Sequence, residues 1–213
     1  MADDMPKLES PFIRDTIESR YVVTPRVTPG FEWVFEDQAV LATEKLDGTN
    51  VSIVLRDGII AEVWNRENRI PFINKGHGFI IEGIQYSFDR GYCALSDGQW
   101  FGELIGPKVQ GNPYKLDHHI WIPFATYARK KLAYHSWGKY PKTFEAISAW
   151  FETDLFSLFY MGRNKGEHQP AEGVVFVQPS TGNMAKLRRD MFPWHHGDPH
   201  KSKADRTQEE KKE

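Results

Sequence analysis

Apolar and polar positions alternate along short stretches of residues 21–188, and a period of two is typical of β-strands with one buried face. Glycine, proline and aspartate separate these stretches and act as turn signals. The dipeptides Asp47-Gly48 and Asp57-Gly58 are expected to close hairpins between neighbouring strands. The pattern predicts strands at 39–45, 49–56, 59–64, 99–105, 119–126, 172–178 and 183–188.

Two segments carry helical spacing instead. Apolar positions in residues 79–89, and again in residues 144–160, recur every three to four residues and fall on or near one face of a helix. Together with the hairpin connections, these segments predict an α+β fold in which antiparallel sheets are flanked by helices.

The chain is long enough for one domain with a substantial core, because it has 213 residues, of which 40% are hydrophobic and 14% aromatic. Residues 1–20 are polar and show little periodicity, so a frayed lead-in is expected there. The domain is expected to span residues 21–194. Residues 195–213 are rich in histidine, lysine, aspartate and glutamate, which predicts a disordered tail.

Charge and cysteine content exclude several classes of protein. The net charge is −2, so nucleic-acid binding would have to use a local basic patch. The single cysteine, Cys93, rules out an intramolecular disulfide framework and a zinc site with several thiolates. No apolar run reaches transmembrane length and the acidic start does not resemble a signal peptide, so a cytoplasmic protein without membrane contact is expected.

The stretch from Thr43 to Asn50 places a lysine, Lys45, between two apolar segments, and an acid, a glycine and small polar residues follow it. Desolvation at such a position would lower the pKa of the ammonium group and free a nucleophilic amine. An ordinary hairpin with a snorkelling lysine is the interpretation that this stretch favours when it is taken alone. Other parts of the chain must therefore decide between the two interpretations.

Four further features accompany Lys45. Glu103 and Glu172 are carboxylates within apolar strands, where a buried charge needs a partner or a ligand. Lys186 and Arg188 lie two apart on a strand, so both cations are expected on one face. The aromatic Phe124 ends a further apolar strand. Such a set predicts a nucleoside triphosphate pocket, in which cations hold phosphates, a carboxylate holds metal and an aromatic ring stacks on the base.

These residues resemble the motifs of the covalent nucleotidyltransferases, the superfamily of polynucleotide ligases and RNA capping enzymes. Within it the chain is most similar to ATP-dependent RNA ligases of the RNA ligase 2 type. The resemblance implies an ATP-grasp-like nucleotidyltransferase (adenylation) domain with its ATP pocket between the sheets. It rests on Lys45-Leu46-Asp47-Gly48-Thr49-Asn50, Arg66, Phe101-Gly102-Glu103-Leu104, residues 106–112, Phe124, Glu172-Gly173-Val174-Val175 and Lys186-Leu187-Arg188.

The resemblance implies a covalent mechanism. Lys45 would attack the α-phosphorus of ATP, expel pyrophosphate and carry AMP, which would pass to an RNA 5′-phosphate before a 3′-hydroxyl displaces it. Lys186 and Arg188 would lower the pKa of Lys45 and neutralise charge on the phosphate. Glu172, with Asn50 through water, would hold Mg²⁺, or Mn²⁺ in its place.

The resemblance also assigns residues around the nucleoside. Glu103 would accept hydrogen bonds from the ribose, and Phe124 would stack on the base or simply fill the core. Arg66 would hold the ribose or the RNA 3′ end, although Arg66 and the nearby Arg69 also fit a solvated strand end. Glu44 would meet the adenine mostly through its backbone.

Two departures from the family pattern leave alternatives open. Arg188 stands where the family usually has lysine, and only 25 residues follow it (213 − 188). No C-terminal accessory domain or oligonucleotide-binding fold is therefore expected, and whether a partner protein takes its place stays open. The alternatives are a ligase-like adenylyltransferase that needs such a partner, a DNA ligase, a guanylyltransferase and a non-catalytic RNA-end-binding module. A role in RNA repair is an expectation from the family.

Overall fold

The structure is a computed structural model that describes residues 3–73, 76–139, 141–165 and 167–196. The predicted tail therefore lies almost entirely outside the described residues. The strands are β1 (Phe12–Ile17), β2 (Arg20–Val27), β3 (Leu41–Lys45), β4 (Thr49–Arg56), β5 (Ile59–Asn65), β6 (Asn68–Arg69), β7 (Gly98–Ile105), β8 (Ile120–Pro123), β9 (Gly173–Val177) and β10 (Met184–Arg188).

The helices lie on the outside of these sheets. They are α1 (Trp33–Glu36), α2 (Gly78–Asp89), α3 (Arg129–Lys131), α4 (Phe144–Thr153) and α5 (Leu158–Arg163), with a π-helical turn at Phe124–Ala128 and a 3₁₀ turn at Arg189–Met191. No helix among the described residues is long and apolar enough to cross a membrane.

Three antiparallel sheets organise the part of the chain that the structure describes, as the alternating pattern predicts. Strands β1 and β2 form a hairpin, β10-β9-β3 form a three-stranded sheet, and β6-β5-β4-β7-β8 form a five-stranded sheet. One hydrophobic cluster lies between the three-stranded sheet, α4 and the N-terminal hairpin, and another packs α2 on the five-stranded sheet. The third cluster includes Leu46 and lies where the chain crosses between the two larger sheets.

The prediction of a hairpin at Asp47-Gly48 is wrong. Strands β3 and β4 belong to different sheets, and residues 46–48 carry the chain from one to the other. Gly48 is required there for close approach, because a Cβ atom would lie 2.4 Å from the Leu104 carbonyl oxygen and 2.7 Å from Glu103 Cγ. The second predicted hairpin, at Asp57-Gly58, is confirmed, and both residues adopt the positive φ of 52° and 72° that a tight primed turn uses.

Three further expectations need correction. The stretch expected to be a frayed lead-in instead contains a hairpin strand, because buried Phe12 starts β1 and the chain turns at Glu18 and Ser19. The strand predicted at 119–126 ends at Pro123 and continues as the π-helical turn. The single helix predicted at 144–160 is two helices, because the Ser157 side chain caps a new start at α5.

Candidate active site

Apart from Glu44, the charged side chains of the three-stranded sheet lie on one face. Lys45, Gly173 and Arg188 are direct cross-strand partners, so the Lys45 and Arg188 side chains point to the same side. Gly173 stands between them without a side chain, and a Cβ atom there would lie 2.2 Å from the Leu187 carbonyl oxygen. The opposite face, which includes Glu44, is buried in the core.

Lys45 and Glu172 form a close ion pair. The Nζ atom lies 2.5 Å from Glu172 Oε2 and 3.4 Å from the Leu46 carbonyl oxygen. The two side chains are only 23% and 14% exposed, so this pair is largely removed from water. Burial raises the pKa of Glu172, while the charge of Lys45 opposes that rise. The geometry therefore places a carboxylate directly on the predicted nucleophile.

Lys186 and Arg188 complete the cationic side of the site. The pKa of Lys186 is lowered by burial and by the nearby charges of Lys45 and Arg188. Arg188 donates to Asp190 at 2.9 Å, yet its Nε atom is buried without a hydrogen-bond partner among the described residues. A buried donor of this kind suits an anionic oxygen, so these residues fit the phosphates of a nucleotide.

The five-stranded sheet contributes Glu103 and Asn50, which are cross-strand partners on β7 and β4. Burial raises the pKa of Glu103 to about 8, although the charges of Lys45 and Arg66 partly oppose that rise. The Asn50 amide donates to Met5 Sδ at 3.3 Å. Sulfur is a weak acceptor, so a stronger ligand could displace this contact.

Arg66 and Phe124 lie at the edges of this region. Arg66 is exposed at the β5–β6 turn and has φ = +53°, an unusual conformation for a residue with a side chain. The neighbouring Arg69 instead lies 4.0 Å from Glu62. Phe124 opens the π-helical turn and packs, half-buried, against the third hydrophobic cluster. The functional roles of Arg66 and Phe124 stay predictions.

The Glu44 side chain faces the core rather than a ligand. It is 4% exposed, and its carboxylate accepts hydrogen bonds from Ser157 Oγ at 2.5 Å and from the Phe159 N–H at 2.9 Å. Its backbone N–H donates to the Leu132 carbonyl at 2.8 Å. Burial raises the pKa of Glu44 to about 7. The expected adenine contact through the backbone stays a prediction, and the carboxylate instead anchors α5.

Sequence reasoning missed two groups of residues at this site. The Tyr114 hydroxyl accepts the Asp47 N–H at 2.8 Å, and Gln110 Nε2 donates to the Gly48 carbonyl at 3.2 Å. An open cavity of about 240 Å³ lies beside Glu172 and is lined in part by Asp47 and Tyr114. The only signal in the sequence was the resemblance of residues 106–112 to RNA ligases.

The second missed group is the N-terminal segment, which crosses from one large sheet to the other. Asp3 exchanges two hydrogen bonds with Gln99 on β7, at 2.9 and 2.6 Å. The Glu9 carbonyl accepts the Lys186 N–H at 2.8 Å. A polar, aperiodic segment gives no sequence signal for such a path.

The donor set also limits how a metal would be held. The described ranges contain no group of three or more His, Cys, Asp or Glu side chains placed to hold a metal ion. Mg²⁺ is commonly bound through one or two carboxylates together with substrate phosphates and water. A single carboxylate such as Glu172 therefore fits a metal that arrives with a nucleotide, and does not fit a permanent protein cage.

The antiparallel sheets and flanking helices are the expected α+β architecture, and they bring together a lysine, two carboxylates and two cations. The sequence model described as RNA ligase matches residues 38–189. The chain therefore belongs to the RNA ligase family, as the motifs predict. No curated protein sequence matches the chain.

Solved structures similar to this chain include several of an RNA ligase from Naegleria gruberi. An apo form of a mutant is 18% identical over 75% of this chain and 52% of that one, with a TM-score of 0.47. A mutant with ATP and Mn is 20% identical over 85% and 59%, with a TM-score of 0.45, and another with AMP and Mn is 19% identical over 74% and 52%, with a TM-score of 0.47. The chain thus spans between half and three-fifths of the length of these proteins.

Proposed function

We propose that this chain is an ATP-dependent RNA ligase that carries AMP covalently on Lys45. The observation that carries the proposal is the Lys45 amine, 2.5 Å from a buried carboxylate and on the same sheet face as Arg188. A solvated hairpin lysine would have neither neighbour. Membership in the RNA ligase family supports the same assignment.

In the first step, the unprotonated Lys45 amine attacks the α-phosphorus of ATP. An N–P bond forms, the bond from the α-phosphorus to the bridging oxygen breaks, and pyrophosphate leaves. Lys186 and Arg188 hold the phosphates and stabilise the charge that develops on them.

Glu172 holds the nucleophile through an ion pair. While its carboxylate pairs with Lys45, the amine is engaged in this contact and cannot attack. Glu172 would hold a Mg²⁺ or Mn²⁺ ion that binds with the nucleotide, and the chemistry supplied there would be neutralisation of phosphate charge. A Lys45 amine released from this ion pair passes its proton to water before it attacks. Asn50, the cross-strand partner of Glu103, is a second proposed ligand, through water.

In the later steps, an oxygen of an RNA 5′-phosphate attacks the AMP phosphorus, the N–P bond breaks, and Lys45 is regenerated. A 3′-hydroxyl then attacks the activated 5′-phosphate and AMP leaves, which joins the strand. The charge of Arg66 acts on Glu103, so this exposed arginine stands at the edge of the site, where a ribose or an RNA 3′ end would approach.

The proposal is tested with α-labelled ATP and Mg²⁺, followed by denaturing electrophoresis. We expect label on the wild type, none on Lys45→Ala, and normal labelling of Lys131→Ala, which removes an exposed lysine from α3. Label that survives Lys45→Ala would refute the covalent mechanism. Labelling by GTP in place of ATP would instead indicate a guanylyltransferase.

The polynucleotide is tested separately with nicked duplexes. We expect sealing when the 3′-hydroxyl strand is RNA, and equal sealing of an all-DNA nick would contradict the RNA assignment. Accumulation of adenylated 5′ ends without sealing would indicate an adenylyltransferase that needs a partner. The cytoplasmic location and the role in repair stay predictions.

A further inference from the structure

The segment that follows Lys45 is held by a loop from the other sheet. Leu46, Asp47 and Gly48 lie between β3 and β4, where the chain crosses from one sheet to the other. The Tyr114 hydroxyl accepts the Asp47 N–H at 2.8 Å, and Gln110 Nε2 donates to the Gly48 carbonyl at 3.2 Å. Residues 106–116 therefore bind the backbone of the crossing directly.

Tyr114 is itself firmly placed. It is 4% exposed, and its ring packs edge-on against Phe159 with centroids 5.3 Å apart. It shares the third hydrophobic cluster with Leu46, the residue next to the nucleophile. Burial, followed by the charge of Glu44, raises the pKa of the phenol well above its ordinary value, so the hydroxyl stays protonated and neutral.

Both sides of the nucleophile are tied to the same helix. On the N-terminal side, the Glu44 carboxylate accepts the Phe159 N–H at 2.9 Å. On the C-terminal side, Asp47 reaches Phe159 through the hydroxyl and ring of Tyr114. The start of α5 thus fixes the backbone of Lys45 from two directions. The Tyr114 hydroxyl is the contact that can be removed with less disturbance, because its removal takes away one oxygen and no charge.

We infer that Tyr114 is a positioning residue for Lys45, which acts by fixing the Asp47 N–H and so the direction of the amine. This inference rests on the proposed function. A nucleophile must stand about 3–3.5 Å from the attacked atom and in line with the leaving group, and a misplacement of about 1 Å can cost about 100-fold in rate. Without the hydroxyl, the Asp47 N–H would lose its acceptor and the crossing would shift to find another.

The test compares Tyr114→Phe with Tyr134→Phe. Tyr134 is also buried and its hydroxyl donates to the Phe156 carbonyl at 2.9 Å, but that bond lies in another hydrophobic cluster. We would measure the single-turnover rate of lysyl-AMP formation across ATP concentrations. Tyr114→Phe should lower the maximum rate by about 10- to 100-fold while the ATP concentration for half-saturation changes by less than about twofold. Tyr134→Phe should keep the wild-type rate.

Several outcomes would overturn the inference. These are a wild-type rate for Tyr114→Phe, an equal loss in both variants, or a change confined to half-saturation by ATP. Absence of any adduct on the wild type would refute the proposed function alone. In that case, the rate at which a small amine-reactive reagent acylates Lys45, measured by peptide mass spectrometry, would test whether Tyr114 positions the amine. An altered rate in Tyr114→Phe, with unchanged labelling of exposed Lys131, supports the inference, and an unchanged Lys45 rate overturns it.

Discussion

Glu44 makes the stability of this protein depend on pH in a predictable direction. Burial raises the pKa of the carboxyl from 4.5 to about 7, although hydrogen bonds from Ser157 and Phe159 partly offset that rise. Between these two values the folded protein retains the proton and the unfolded chain has released it. The unfolded state therefore binds fewer protons, and the free energy of unfolding falls as pH rises through this window.

The size of the effect follows from the two pKa values. They differ by about 2.5, and each unit corresponds to about 1.4 kcal/mol, so the loss from pH 4.5 to above pH 7 is about 3 kcal/mol. Glu44→Gln keeps the shape of the side chain and cannot ionise. Its amide oxygen can accept the Phe159 N–H while its NH₂ donates to Ser157 Oγ, so both contacts are retained. The variant should therefore lack this part of the pH dependence.

The assay is urea unfolding of the wild type, Glu44→Gln and the control Glu145→Gln at several pH values from 4.5 to 8. Other groups also titrate in this range, so the informative quantity is the difference between variant and wild type. We expect the free energy of unfolding of Glu44→Gln to rise by about 3 kcal/mol relative to that of the wild type as pH rises. For the exposed Glu145→Gln, the difference from the wild type should stay constant. A constant difference for Glu44→Gln would refute the reasoning.

Two further predictions concern the backbone. Gly173→Ala should lower the free energy of unfolding by about 3 kcal/mol or more, because the new Cβ atom would lie 2.2 Å from a carbonyl oxygen of β10. The control Gly162→Ala in α5 has open space around it and should be neutral or slightly stabilising in the same thermal unfolding assay. Equal effects of the two changes would contradict this account. Arg66→Gly should raise the free energy of unfolding by about 1 kcal/mol, because glycine relieves the positive φ of 53°. The same variant should nevertheless ligate less RNA in gel assays. Full ligation activity would show that Arg66 is not part of the site.

Much of the site could be predicted because it depends on local periodicity. Lys186 and Arg188 lie two apart on a strand, and the period of two is sufficient to assign both side chains to one face. The carboxylates Glu103 and Glu172 stood out because charges within apolar strands are costly. Such signals are contained within a few consecutive residues, so they do not depend on the tertiary contacts of the chain.

The errors arise where distant residues decide the local conformation. Asp47-Gly48 has the composition of a hairpin turn, but the turn signal cannot show that β4 pairs with β7 rather than with β3. The break between α4 and α5 depends on Glu44, which is 113 residues away from Ser157 in sequence. The N-terminal hairpin turns at Glu18 and Ser19, where neither residue is a usual signal for positive φ.

The register of β3 connects these observations with the chemistry. Successive strand residues point to opposite faces, so a slip by one position would bury Lys45 in the core and turn Glu44 towards the site. The two hydrogen bonds to the Glu44 carboxylate exist only in the observed register, and a slip would leave the buried N–H of Phe159 without its acceptor. An ionisable group in the core costs stability at neutral pH, as the raised pKa shows. The Glu44 anchor nevertheless specifies which of two adjacent charged residues faces the candidate active site.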